Sequence, residues 1–269
     1  MSSIRNESTT HAMVSDRLDR LSLRALAHGE LAAIHARGFF SAGPLEDIAN
    51  RLDDVITYGV NPYSQQVGCL GISFHFSSGK PDLREIYHRD ARAWEQTLRE
   101  FSLPHQSPAD SLEEAIRSVW PAGLLREDAV GRPMFAGITR LFHDGAGALP
   151  HRDSLARDTG ADHPKAKNIR SQLAAYLYLS TSDEGGEVEV WTRRLSDEEF
   201  EQVRIPGTDD ADRDKLGLPD LVIRPGSGDL LIYDAGLLHG ASPARGGLRA
   251  NVSMFLACRG DGVPMTCWS

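Results

Sequence analysis

Residues 134–153 read MFAGITRLFHDGAGALPHRD, and residues 228–243 read GDLLIYDAGLLHGASP. Both are short apolar runs broken by Gly, Asp and Pro, which is the punctuation of strands joined by turns. Working outward, the same pattern recurs from about residue 134 onward. Strands are expected at Phe135 to Phe142, Gln172 to Ser180, Glu187 to Thr192, Leu221 to Arg224, Asp229 to Tyr233 and Arg249 to Cys258. Two more short ones are expected around Leu149 to Asp153 and His239 to Ala244. Eight short strands without long intervening helices predict a jelly roll or barrel of antiparallel strands, not a parallel α/β sheet. Ser196 to Pro219 is too acidic for a core strand and reads as a surface insertion.

Before residue 130 the periodicity is helical. Leu45, Ile48, Leu52 and Val55 recur at three and four after Gly43, with Pro44 suited to a first turn. Leu31 to Phe40 precedes them as a strand. Leu83, Ile86, Trp94, Leu98 and Phe101 mark a second helix from near Pro81, and Leu112, Ile116 and Val119 a third ending before Pro121. The fold class expected is therefore mainly β with flanking helices and an α-rich N-terminal half.

Composition narrows the function. The chain has 269 residues, 41% hydrophobic and 25% charged, enough for a large core. Its net charge of −9 and lack of a long basic run leave nucleic-acid binding without a source of phosphate neutralisation. No apolar stretch reaches membrane-spanning length and residues 1–17 carry no apolar signal core, so no membrane partner is expected and the chain reads as cytoplasmic. The sequence leaves room for a homodimer. Cys69, Cys258 and Cys267 are an odd count at scattered spacings, which fits buried small hydrophobes better than a disulfide framework or a zinc site.

The chemistry starts from HRD at 151–153. An HxD triplet is weak by itself, since chance supplies about one in a chain of this composition. A second HRD indeed stands at 88–90. Geometry separates them: residues i and i+2 of a strand share a face, whereas on a helix they diverge by about 200°. His151 and Asp153 can thus ligate one ion, while 88–90 falls inside the second helix and reads as a solvated face. His239, after the strand and turn of 228–243, is the best third ligand. Two histidines and a carboxylate with open positions form the ligand set of non-haem Fe(II) oxygenases. Arg249, ten residues on, opens the last apolar strand. A guanidinium inside a β-barrel requires an anion, and its fork suits a carboxylate. Asn251 and Ser253 share its parity and add hydrogen-bonding groups to that face.

Taken together, HRD, the later GDLLIYD followed by HGASP, and Arg249 resemble the Fe(II)/2-oxoglutarate-dependent dioxygenases across residues 134–260. AAIHARGFF and PLEDIANRL look like that family's lead-in strand and supporting helix. Within it, the DAG, the histidine and the FLA strand are similar to the N-substituted amino-acid hydroxylases and indole-alkaloid halogenases. The resemblance implies a double-stranded β-helix (jelly roll, cupin-like) core over 134–260 with strand and supporting helices over 31–133; one domain is expected from the length, with 1–13 flexible. It implies Fe(II) held by His151, Asp153 and His239, with 2-oxoglutarate and O2 as cosubstrates and Arg249 on the distal carboxylate of 2-oxoglutarate. The halogenases carry glycine in place of the triad carboxylate. Asp153 is present here, so the resemblance implies hydroxylation of a small molecule such as an N-substituted amino acid, or a related desaturation or cyclisation, with succinate and CO2 released.

Contacts further out are read from parity and position. Trp191 is a candidate wall of the cosubstrate pocket, and Tyr176, on one face with Tyr178, a candidate hydrogen-bond donor to it. Arg140 and Arg152 are candidate substrate contacts. Lys165, Lys167 and Arg170, in 161–170, suggest a lid or a solvated loop. A kinase reading of HRD fails for want of the catalytic-loop asparagine, a glycine-rich loop and DFG. Two other classes stay open: a cupin-like metal- or ligand-binding protein without turnover, which has no evident need of Arg249, and a zinc hydrolase, for which no HExxH is present.

Overall fold

The computed structural model describes residues 14–58, 66–160 and 163–269, so the expectation for 1–13 lies outside the described residues. Thirteen strands appear among them: β1 (Val14–Ser15), β2 (Ala33–Ala36), β3 (Val67–Leu70), β4 (Leu124–Arg126), β5 (Ile138–Phe142), β6 (Ala148–His151), β7 (Ser171–Ser180), β8 (Val188–Trp191), β9 (Leu221–Ile223), β10 (Leu230–Asp234), β11 (Leu238–Ala241), β12 (Arg249–Cys258) and β13 (Met265–Trp268). Nine form a large sheet in the order β1-β2-β10-β7-β12-β13-β4, with β5 joining β12 to β3. The other four form a small sheet, β6-β11-β8-β9. These are the two sheets of a jelly roll.

All eight expected strands are present, several with ends shifted by one to three residues. Arg249–Cys258 matches its expectation end to end, because its ten residues hold no Gly or Pro and pair with β7 from Ala250 to Cys258. The other edge of β12 is shared: Arg249–Ser253 pair with β5, and Phe255–Ala257 with β13. Expected at Phe135, β5 starts only at Ile138. Residues 135–137 bond Ser269 instead: Phe135 O accepts from Ser269 N at 2.6 Å, and Gly137 N donates to Ser269 Oγ at 2.9 Å.

Strand alternation sorts the large sheet's side chains. Ala250, Val252, Met254 and Leu256 of β12 face away from the small sheet into clusters with the helical layer, among them Leu26, Leu112 and Ile116, or Leu45, Ile48 and Leu98. Across the sheet, Ala174 and Tyr178 of β7 and Leu231 and Tyr233 of β10 pack on Val188, Val190 and Ile223 of the small sheet. The large sheet is thus covered on both faces, and each buried Leu or Ile contributes about 1.5–3 kcal/mol.

The helices form where the periodicity predicts. Pro81–Ser102 has Pro at its first position and buries Tyr87, Ala91, Leu98 and Ser102 along one stripe. Pro108–Val119 buries Pro108, Ala109, Leu112 and Ile116. The first helix is shorter than expected, Ala42–Ala49, and a separate 3-10 turn at Leu52–Asp54 carries on its apolar face. Arg20–Ala27, not foreseen, is fixed by a capping box in which Asp19 accepts from Leu21 N and Ser22 N. The expected insertion contains a helix, Asp197–Val203, whose Phe200 is buried with Trp191 and Leu238 on the outer face of the small sheet. All three cysteines are free and buried, and burial pushes the Cys267 thiol up to about 12. Among the described residues no helix is long and apolar enough to cross a membrane.

Candidate metal centre and anion cradle

β6 and β11 are antiparallel neighbours in the small sheet, with His151 directly opposite His239. Their rings approach to 4.4 Å between centroids. Asp153 lies just past the end of β6, anchored by Asp153 N donating to Ala235 O at 2.9 Å. Its Oδ2 sits 3.2 Å from His239 Nε2 and 3.9 Å from His151 Nε2. One ligand atom from each of the three falls within 4.8 Å of the others.

The second ring nitrogen of each histidine decides what the first can do. His151 Nδ1 lies 2.8 Å from Leu149 O, and His239 Nδ1 lies 2.9 Å from Leu237 O. A carbonyl only accepts, so both Nδ1 atoms carry the proton and both Nε2 atoms present a lone pair. This is the arrangement in which a ring nitrogen's partner fixes tautomer and orientation for a metal. His239 Nε2 is buried without a hydrogen-bond partner, its 3.2 Å approach to Asp153 having no acceptable geometry. Burial, then the neighbouring His239 charge, lowers His151 to about 4, so it is neutral at pH 7. Burial alone would raise the Asp153 carboxyl, but His239, His151 and Arg157 outweigh it and hold it well below the usual carboxylate range. A neutral His151, a His239 whose Nε2 faces the same point, and an ionised carboxylate fit Fe(II).

A cavity of about 50 Å³ between the sheets is lined by both histidines, Tyr178, Tyr233, Phe142 and Arg249. Arg249 is 4% exposed, and its Nε and Nη1 have no partner. Its guanidinium lies over Phe142 at 4.9 Å and Tyr178 at 5.5 Å, and Nη2 donates to Tyr178 Oη at 3.4 Å. A buried cation left with two free donors is costly unless an anion joins it. Gly186, with φ +71°, keeps the space open: a Cβ there would stand 3.3 Å from Arg249 Cδ.

Asn251 and Ser253 share the inward parity of Arg249. Asn251 is 0% exposed and both of its amide atoms lack partners; Ser253 Oγ accepts from Arg140 Nη1 at 2.8 Å. Tyr176 lines the cavity but stacks on Tyr233 at 5.7 Å, and it is Tyr178, one register step nearer Arg249, that bonds the guanidinium. The structure does not bring two of the candidates in. Trp191 has the parity of Glu189, not of Val188 and Val190; its indole faces outward and donates to Gly217 O at 3.2 Å. Arg152, one step out of phase with His151 and Asp153 of its triplet, turns to the insertion. There it lies over Phe200 at 4.4 Å and bonds Asp197 at 2.5 Å.

The 88–90 triplet lies on a helix as expected, and Arg89 and Asp90 pair with each other near solvent. His88 departs from the expected solvated face: it is half-buried against Tyr87 and Phe74, with both nitrogens unpartnered. Tyr233, whose ring is 4.9 Å from that of His239, and Gly186 were not singled out in the sequence, although GGEVEVW carries the glycine. A second cavity, about 130 Å³, abuts Asp153 and is lined by Ser154, Arg170, Gln172, Arg194 and Asp234. A third, about 560 Å³, lies away from the triad near Glu127, Lys165 and Arg259.

Comparison with known proteins agrees with this geometry. The family model described as carrier-protein-independent halogenase WelO5 matches residues 12–269. The chain is 25% identical over 273 residues to the L-gamma-glutamyl-L-propargylglycine hydroxylase of Streptantibioticus cattleyicolor, covering 98% of each. Its fold is similar to the crystal structure of an N-substituted L-amino acid dioxygenase from Burkholderia ambifaria, with TM-score 0.62 at 17% identity over 93% of this chain and 91% of that one. The same enzyme in complex with alpha-KG gives 0.60 at 18% identity, over 92% and 90%.

Proposed function

The chain belongs to the carrier-protein-independent halogenase WelO5 family, and from that premise we propose that it hydroxylates a C–H bond of a small, amino-acid-derived molecule. It is an Fe(II)/2-oxoglutarate-dependent oxygenase. The observation that carries the reading is the convergence of His151, Asp153 and His239, with both Nε2 atoms freed by backbone bonds at Nδ1. The halogenation associated with glycine at the third position is disfavoured, because Asp153 stands there. The relative named as a hydroxylase supports the same outcome.

In this reading His151, Asp153 and His239 hold Fe(II), which supplies with 2-oxoglutarate and O2 the oxidising power for hydroxylation, succinate and CO2 leaving as co-products. Arg249 binds the distal carboxylate of 2-oxoglutarate, with the Tyr178 hydroxyl orienting the guanidinium. The apolar walls of Phe142, Val188 and Tyr233 exclude water and so strengthen that pairing. Asn251, Ser253 and Tyr176 furnish polar groups along the same wall. A non-catalytic metal-binding barrel would leave Arg249 buried without a purpose.

The test is anaerobic addition of Fe(II) and 2-oxoglutarate, which should give a weak visible charge-transfer band, followed by aeration with N-acyl amino acids and γ-glutamyl dipeptides. Succinate release that depends on one of these supports the proposal. No band and no succinate, or tight stoichiometric zinc with activity indifferent to iron, overturns it.

A further inference from the structure

The three candidate ligands are not held alike. The rings of His151 and His239 are aimed by carbonyls at Nδ1, and the two residues face each other as a pair of the β6–β11 ladder. Asp153 stands two residues further on, where β6 has ended. Yet the chain stays extended through Ser154, at φ −153° and ψ 112°, before the helix Leu155–Thr159 starts. The carboxylate shares the face of His151 only while that extension lasts. We propose that Arg157 is a positioning residue for Asp153, holding in place the peptide that carries it. The inference rests on the reading of His151, Asp153 and His239 as the iron ligands, and it concerns what keeps the carboxylate among them.

The peptide between Arg152 and Asp153 is pinned on both edges. Its N–H, that of Asp153, donates to Ala235 O at 2.9 Å. Its carbonyl, that of Arg152, accepts from Arg157 Nη1 at 2.9 Å. Ala235 is a fixed point: it is fully buried, and its own N donates to Gln172 O at 2.9 Å. Beside it the Asp234 side chain accepts from Gly236 N at 2.9 Å and pairs with Arg194. A peptide unit is planar, so a bond at one edge still lets it swing, whereas bonds at both edges fix its plane.

Arg157 is itself braced. Its Nε donates to Asp158 Oδ1 at 3.3 Å, with Asp209 Oδ2 3.9 Å away, and its Nη2 lies 3.4 Å from His75 Nδ1. Asp158 is 7% exposed, and its carbonyl accepts from Arg84 Nη2 at 3.1 Å, which ties it to the helix Pro81–Ser102. One planar fork thus spans a buried carboxylate on one side and the Arg152 carbonyl on the other. An ammonium, a single point of charge, cannot reproduce that reach. Loss of the fork would leave the Asp153 peptide held by Ala235 alone.

The test titrates Co(II) into the metal-free protein, with affinity read by calorimetry, ligand field by the visible spectrum, and stability by the urea midpoint. Arg157→Gln should weaken Co(II) binding about tenfold or more, the usual cost of losing a group that orients a metal ligand, and should shift the Co(II) bands. Arg157→Lys keeps the charge without the fork and should recover no more than part of the loss. Full recovery in Arg157→Lys would assign the effect to charge and overturn the clamp. Unchanged affinity and bands in Arg157→Gln refute the assignment even if the urea midpoint drops, because Arg157 then serves stability alone. If Arg157→Gln does not fold, Arg157→Lys decides: weakened binding with shifted bands supports the clamp, and unchanged binding refutes it. Unsubstituted protein that binds Co(II) no better than Asp153→Gly does would count against the iron reading itself. Tight binding that Asp153→Gly abolishes and Arg157→Gln preserves would overturn this inference alone.

Discussion

The tripeptide His-Arg-Asp occurs at 88–90 and again at 151–153, and the two copies share nothing but composition. In the helix Pro81–Ser102, His88 turns inward onto Tyr87, with ring centroids 5.1 Å apart, while Asp90 closes on its own neighbour Arg89. At the end of β6, His151 and Asp153 point to one side, meet His239, and leave Arg152 on the other. The lesson is that the backbone beneath a motif, more than the motif, determines its chemistry: steps of about 100° disperse what steps of 180° gather.

Substituting position by position tests that contrast. Asp153→Gly should lower succinate-coupled turnover by about a thousandfold or more, equivalent to about 4 kcal/mol of lost transition-state stabilisation, and should reduce bound iron. Asp90→Gly should leave turnover within about twofold and cost about 0.3–0.5 kcal/mol in denaturant stability from helix propensity. Equal losses of activity would show that the metal has been assigned to the wrong face of the molecule. The site around the second copy is probed next by Arg249→Met, expected to raise the KM for 2-oxoglutarate by about 10- to 100-fold, the range for a lost hydrogen-bonded charge pair. Unchanged cosubstrate kinetics would detach Arg249 from the cradle.

The histidines carry the contrast into pH. Burial and the His239 charge lower His151 to about 4, and burial with the Arg132 charge lowers His88, both from 6.5. Because the unfolded chain takes up these protons first, the contribution of these two residues to metal-free stability should fall as pH drops from 6.5 toward the folded values. The depressed Asp153 has the opposite form, giving stability above about 3.8 that is lost as pH falls further, so it lies outside this window. Melting temperatures from pH 7.5 to 5 should decline less steeply in His151→Phe than in the unsubstituted chain, and slightly less steeply in His88→Phe. Parallel curves would contradict both shifts. Smallest is the middle position. Arg152→Ala loses the stack on Phe200 and the Asp197 bond and should cost about 1–2 kcal/mol with little change in kcat. Arg89→Ala, an exposed pair, should stay within about 0.5 kcal/mol.

Long uninterrupted runs were the most legible part of the sequence. β12 and the helices at 81–102 and 108–119 have enough residues for a period to declare itself. β3, β4 and β13 were missed, being only three or four residues each, too few to alternate visibly. The three converging side chains were readable because strand parity and an open ligand set both constrain them. The errors came from applying parity unevenly. Trp191 and Arg152 sit one residue out of phase with inward neighbours, and counting from Val190 or His151 would have turned each outward. Which tyrosine meets Arg249 depends on the register between β7 and β12, including the shift between Ala250 and Asn251, and no single-strand pattern carries that information.

The carbonyls of Leu149 and Leu237, each two residues before a histidine along the chain, have an evolutionary consequence. Because the aim of both imidazoles is held by main chain, no neighbouring side chain has to be retained to keep them pointed. The surrounding walls, β5 and the 196–219 excursion included, are free to drift toward new customers while the centre they serve stays unaltered.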